Sequence, residues 1–161
     1  MGVDISRTIA EAMSNLMPPG VIGAINTLYI LYKASNGTGV VKDSEAVNFA
    51  LQNGFTRNMW FYYMKKLRNM GVVDKRWDNY VIPEKVLRHF KTFLEVLETG
   101  DYCRARDKIR ELWNEADNAF SVALVVYAVN YLMLMDIIRT DIAEGKQPEK
   151  VILYAREYLF R

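Results

Sequence analysis

Among its 161 residues the chain has one cysteine, Cys103, and one histidine, His89. A lone thiol excludes an intramolecular disulfide, and with one imidazole it makes no zinc or iron–sulfur ligand set. No nucleophile–base pair and no glycine-rich phosphate loop is visible, so neither an enzyme nor a cofactor is expected. The N-terminus lacks a basic, apolar, small-residue leader pattern, which reads as a cytoplasmic protein of a reducing compartment. Charge is missing from two long stretches, Ala12 to Tyr32 and Asn118 to Met135. About 18 apolar residues is where a membrane span becomes feasible. The first stretch, however, is broken by Pro18-Pro19-Gly20, and the second carries Ser121 and Asn130 between Asp117 and Asp136. Both are expected as buried helices of a bundle or dimer core, with no membrane partner.

Hydrophobic residues make up 51% of the chain, enough for a sizeable core in one domain or one domain with an appendage. The net charge of +2 is small, but it is unevenly placed. From Arg57 to Arg76 six basic residues (Arg57, Lys65, Lys66, Arg68, Lys75 and Arg76) stand against one acid, Asp74. Residues 84–161 are close to balanced, with 12 basic and 13 acidic residues.

Helical spacing predicts a first helix over Asp4 to Met17, with Ile5, Ile9, Ala12, Met13 and Leu16 on one face, stopped by the two prolines. A second, almost uncharged helix follows from Val21 to Ser35 and ends at Asn36-Gly37. Thr38 to Val41 reads as extended. Asp43 or Ser44 caps a third helix whose inward residues are Ala46, Val47, Ala50 and Leu51, and Gly54 breaks it. The next helix is capped by Thr56 and closed by Gly71. One arc of it holds Trp60, Tyr63, Met64, Leu67 and Met70. The other holds Asn58, Phe61, Tyr62, Lys65, Lys66 and Asn69.

Val72-Val73 and Tyr80-Val81-Ile82 read as paired strands turning at Asp78-Asn79, with Lys75, Arg76 and Trp77 at the tip. Pro83 opens an amphipathic helix with Val86, Leu87, Phe90, Leu94 and Leu97 as its stripe, ending at Gly100. His89 falls in its charged part and is expected at the surface or partly packed. Asp101 caps a helix with Tyr102, Ala105, Ile109, Leu112 and Ala116 at core spacing. Its basic residues Arg104, Arg106, Lys108 and Arg110 are interleaved with Asp107, Glu111 and Glu115, so a solvated face is expected there. An apolar helix follows to about Glu144, and a last helix opens at Pro148 with the stripe Val151, Ile152, Tyr154, Ala155, Tyr158 and Leu159.

The run from Val21 to Ile82, and within it Met64 to Val73 (MKKLRNMGVV), resembles the winged helix-turn-helix superfamily: helix, short strand, helix, turn, recognition helix, two-stranded wing. The implied fold is mostly α, with a small β-hairpin wing, an N-terminal helix and a C-terminal helical bundle. The implied division is 1–19 for packing or dimerisation, 20–83 for the winged module and 84–161 for dimerisation. The flanking helices give a layout loosely similar to MarR-type repressors, although the wing is short.

What the resemblance implies is sequence-specific binding of double-stranded DNA by a homodimeric transcriptional regulator. The outward residues at the start of the recognition helix, Arg57, Asn58, Phe61, Tyr62 and Lys65, would meet base edges. Thr56, Lys66, Arg68, Lys75, Arg76 and Trp77 would touch phosphate or serve the wing. A homodimer, built on the apolar helix and the Tyr154, Tyr158 and Phe160 group, would set two reading heads about 34 to 36 Å apart. Adjacent outward aromatics also suit a protein–protein adaptor that uses Phe61, Tyr62 and Trp77 as a docking surface.

Overall fold

In the computed structural model, residues 5–138 and Ile152 are described, and they form a mostly helical protein with a small three-stranded antiparallel sheet. The elements run α1 (Ile5–Leu16), α2 (Pro19–Ala34), β1 (Val40–Lys42), α3 (Asp43–Gln52), α4 (Arg57–Asn69), β2 (Asp74–Arg76), β3 (Asn79–Val81), α5 (Glu84–Thr99), α6 (Tyr102–Asn114) and α7 (Ala119–Ile138). The last helix expected from Pro148, with Tyr154, Tyr158 and Phe160, lies outside the described residues, apart from the buried, helical Ile152. Contacts divide the chain into two compact units, Gly23–Arg88 and Met1–Ile22 with His89–Arg161, and the division falls within α2 and α5.

In the unit Gly23–Arg88 the sheet order is β1-β3-β2, so the last strand is central. Tyr80 of β3 faces Val41 on one side and Lys75 on the other. Period-two alternation buries Val41 and Tyr80, while Val40 and Lys42 remain in water. Every α2 position from Gly23 to Ile30 is buried, as its lack of charge before Lys33 requires. Asn36, at φ 53°, ends α2: the N–H of Gly37 donates to the Tyr32 carbonyl and that of Asn36 to Lys33, both at 3.0 Å. These are the two crossed bonds by which a left-handed residue closes a helix.

The strand expected at Val72-Val73 forms two residues later, at Asp74–Arg76, and the two-residue loop is Trp77-Asp78 rather than Asp78-Asn79. Val72 and Val73 are buried, but both of their N–H groups donate to the carbonyl of Leu67. They finish the preceding helix instead of starting a ladder. Met70, expected on the packed arc, is the C-cap of α4 and 45% exposed.

In the other unit α7 packs on α1 and α6, and Phe93 meets Phe90 at a tilt and Tyr127 edge to face. The buried face of α5 is His89, Phe90, Phe93, Val96 and Leu97, rotated from the expected stripe, in which Val86, Leu87 and Leu94 are only half-buried. His89 is therefore a core residue: its Nε2–H donates to the Leu112 carbonyl of α6 at 2.9 Å. On α6 only Ala105 and Leu112 are buried, while Tyr102 is exposed. Lys108 pairs with Glu95, in keeping with a solvated, salt-bridged face. The window Ala119–Ile137 of α7 is long and apolar enough to cross a membrane, with mean hydropathy 1.8, and half of it is buried, as in a core helix.

Tyr127 is fully buried, and its hydroxyl has no hydrogen-bond partner among the described residues. Burial pushes its pKa, and that of Tyr131, well above the ordinary tyrosine range. A raised folded-state pKa means stability is intact below the unfolded value of 10.0 and is lost as pH rises beyond it. Tyr127→Phe is expected to raise the unfolding free energy by about 1 kcal/mol at neutral pH, since it removes an unpaired buried hydroxyl. It should also flatten the alkaline loss by about 1.4 kcal/mol per pH unit above 10. Urea midpoints at neutral and alkaline pH test both, and an unchanged alkaline slope would refute the assignment.

Candidate nucleic-acid interface

The start of α4 is fixed by three consecutive local devices. First, Gly54, at φ 85°, closes α3, with its N–H donating to Leu51 and that of Phe55 donating to Ala50 at 3.0 Å. Second, Thr56 is the N-cap, its hydroxyl accepting from the N–H of Met59 at 3.1 Å. Third, Phe55 before the cap and Trp60 in the first turns meet edge to face, ring centroids 6.0 Å apart, as a hydrophobic staple. Trp60 also meets Tyr80 of β3 edge to face at 6.3 Å.

The far end of α4 closes on Gly71, at φ 74°, with Gly71 N–H donating to Arg68 and Val72 N–H to Leu67. Between the ends, Trp60, Tyr63, Met64 and Leu67 are buried. Tyr63 lies against Gly23 of α2 so closely that a Cβ at that position would overlap its ring. The contact is available only to glycine. Burial, with the neighbouring Tyr62 adding to it, holds the Tyr63 hydroxyl above its ordinary pKa, so it stays neutral.

With that face fixed inward, the expected reading residues emerge together. Arg57, Asn58 and Lys65 are exposed, and Phe61 and Tyr62 are 48% and 55% exposed. Lys66 lies over the Tyr62 ring, 4.6 Å from its centroid, and a hydrogen bond with Tyr62 pushes its pKa up, so it remains cationic. Arg68 is exposed beside them. Among the described residues no carboxylate pairs with Arg57, Lys65 or Arg68.

The hairpin is different. Lys75 Nζ is 3.2 Å from Asp43 Oδ2 at the start of α3 and 5.5 Å from the Tyr80 ring centroid. Arg76 Nε is 3.4 Å from Asp74 Oδ2. Both cations expected to grip phosphate thus already have a carboxylate. Trp77 stands at the tip, 95% exposed. Thr56 is exposed, with its hydroxyl engaged in the cap.

Two open grooves flank Phe61, each with Tyr80 in its wall. One, of about 520 Å³, includes Lys65, Arg68, Asn69 and Asp74; the other, of about 280 Å³, includes Asn48, Arg57, Asp43 and Lys75. Asp43, Asn48, Asn69 and Tyr80 join the expected residues here. Tyr80 carried a signal, alternation along β3, but the meeting of Asp43 with Lys75 depends on the β1-β3-β2 order. Among the described residues no group of His, Cys, Asp and Glu could hold a metal ion.

No protein-family model matches the chain, and no solved structure matches it. The chain is 26% identical over 130 residues to the uncharacterized protein E-178 of Sulfolobus spindle-shape virus 1, a match spanning 80% of this chain and 67% of that protein.

Gly23→Ala is expected to cost about 1–3 kcal/mol, because the added methyl must displace a buried ring. Tyr63→Leu in the same chain should recover part of that cost, and a thermodynamic cycle from urea denaturation measures the coupling. Strict additivity of the two substitutions would show that α2 and α4 do not meet in this way.

Proposed function

We propose that residues 23–88 are a winged helix-turn-helix that binds double-stranded DNA sequence-specifically, with α4 as the reading helix, and that the protein is a homodimeric transcriptional regulator. The observation that carries this is the outer face of α4. Arg57, Lys65, Lys66 and Arg68 share one helix with no acid on it, and none of the four has a carboxylate partner among the described residues. An unneutralised helix of this kind is what a phosphate backbone attracts. Arg57 and Asn58 stand at its N-terminal end, where such a helix meets base edges. Arginine grips guanine and asparagine adenine through paired hydrogen bonds, and the edge of Phe61 suits a thymine methyl. The hairpin follows α4 directly, with Arg76 and Trp77 exposed on it.

Dimerisation is supported by α7. Val122, Val126, Met133 and Ile137 are its exposed apolar residues, with the half-buried Val129 between them. Their spacing of three and four residues is that of a helix seam, with the exposed Asp136 near its C-terminal end as the one charge in α7. A protein adaptor is the second reading, favoured by the exposure of Phe61, Tyr62 and Trp77 on one unit.

Fluorescence anisotropy of labelled duplexes tests the first. Binding should weaken steeply with salt, with a slope of about −4 in log–log form for four phosphate contacts. Arg68→Ala should reduce that slope by about one unit for every sequence, whereas Arg57→Ala should cost about 1–3 kcal/mol at one base position. Salt-independent binding, or no binding at low salt, would remove the DNA assignment and leave the adaptor. Separately, light scattering should give a dimer mass that Val126→Glu reduces to that of a monomer; a monomeric wild type would refute the α7 seam.

A further inference from the structure

Trp77 is costly to this protein in two ways that no internal contact offsets. Register places Arg76 opposite Asn79, so Trp77 and Asp78 alone make the hairpin turn. Trp77 has φ 56° and Asp78 does not share the positive sign, the pattern of a turn whose first central residue is ordinarily glycine. A bulky side chain is rarely held there. Its indole is 95% exposed. Strain of this kind persists only where the surroundings impose it. Here they do, because β2 and β1 both pair with β3, and Asp43 N–H donates to the Asp78 carbonyl at 2.7 Å. The ring is held out from a braced tip.

The neighbourhood narrows what the ring meets. Arg76, beside it, is 71% exposed, and its pair with Asp74 is a surface ion pair that a phosphate can replace at little cost. A guanidinium next to an aromatic face is the combination that binds nucleic acid through phosphate and base together. A continuous duplex, however, offers an indole no base face, because the faces are covered by their neighbours. An aromatic wedge needs a step that is unstacked or easily unstacked.

We propose that Trp77 is a stacking wedge, so that the protein prefers duplex DNA with an interrupted base stack, such as a single unpaired nucleotide or a flexible pyrimidine–purine step, to a uniformly stacked duplex. The inference rests on the DNA-binding reading of α4 and adds to it the form of DNA selected. Base–aromatic stacking is worth about 1–3 kcal/mol, which corresponds to roughly 5- to 150-fold in affinity.

The test compares two labelled duplexes, identical except for one unpaired adenine at the centre, against the full chain and its Trp77→Ala, Trp77→Phe and Trp77→Gly variants. The wild type should bind the interrupted duplex at least about fivefold more tightly, the lower end of that range. Trp77→Ala should lose the preference, its affinities for the two duplexes converging, and Trp77→Phe should keep most of it. In a Trp113→Phe background, where Trp60 is buried, emission of the exposed Trp77 should be quenched by the interrupted duplex. Trp77→Gly should melt at a higher temperature while losing the preference, because it relieves the turn. Equal binding of the two duplexes by the wild type, or a lower melting temperature for Trp77→Gly, overturns the wedge and leaves the DNA reading of α4 standing. Binding to neither duplex at low salt overturns both and moves Trp77 to a protein contact.

Discussion

The outward face of α4 depends on the seating of one indole. Trp60 is fully buried, with Phe55 of the preceding turn on one edge and Tyr80 of the central strand on another. A single ring thereby ties together the turn that aims α4, the helix itself and the strand from which the hairpin extends. Its N–H has no acceptor among the described residues, so the seat works by shape and apolar contact. Deleting a buried aromatic side chain costs about 3–5 kcal/mol, a large part of the roughly 5–15 kcal/mol that holds a domain folded. The geometry of the basic face is in this sense a consequence of core packing.

The ends of α2 and α3 and both ends of α4 were legible because each is decided within a few residues, whereas α3 is capped by Lys42 without a side-chain hydrogen bond rather than by Asp43 or Ser44. Thr56 caps, Asn36, Gly54 and Gly71 supply left-handed backbone, and the crossed hydrogen bonds at α2, α3 and α4 repeat one solution. The exposure of Phe61 and Tyr62 likewise followed from helical period alone. Val72-Val73 was not legible as a helix ending: the apolar residue after the glycine of such a closure has the same β-branched character as a strand residue. His89 was missed for a related reason. Its acceptor is the Leu112 carbonyl, a backbone group that no side-chain pattern announces. The ion pair of Lys75 with Asp43 needs two elements distant in sequence to share an edge, and composition does not encode that meeting.

Those ion pairs divide the basic surface into two kinds. On α4 the positive charge is free, or in Lys66 laid over an aromatic ring, whereas on the hairpin it is already matched by Asp43 and Asp74. Free charge acts at a distance of about a Debye length, roughly 8 Å at physiological salt, while paired charge acts only after its partner is displaced. If the ligand is DNA, the helix supplies the initial attraction. The hairpin contributes once Lys75 and Arg76 exchange carboxylate for phosphate at close range. Such an exchange of one anion for another gains little affinity, since surface pairs are worth at most about 1 kcal/mol. On the proposed DNA reading, what the hairpin would add is therefore selectivity of shape rather than charge, and the residue to supply it would be Trp77, the most exposed of the large hydrophobic side chains among the described residues.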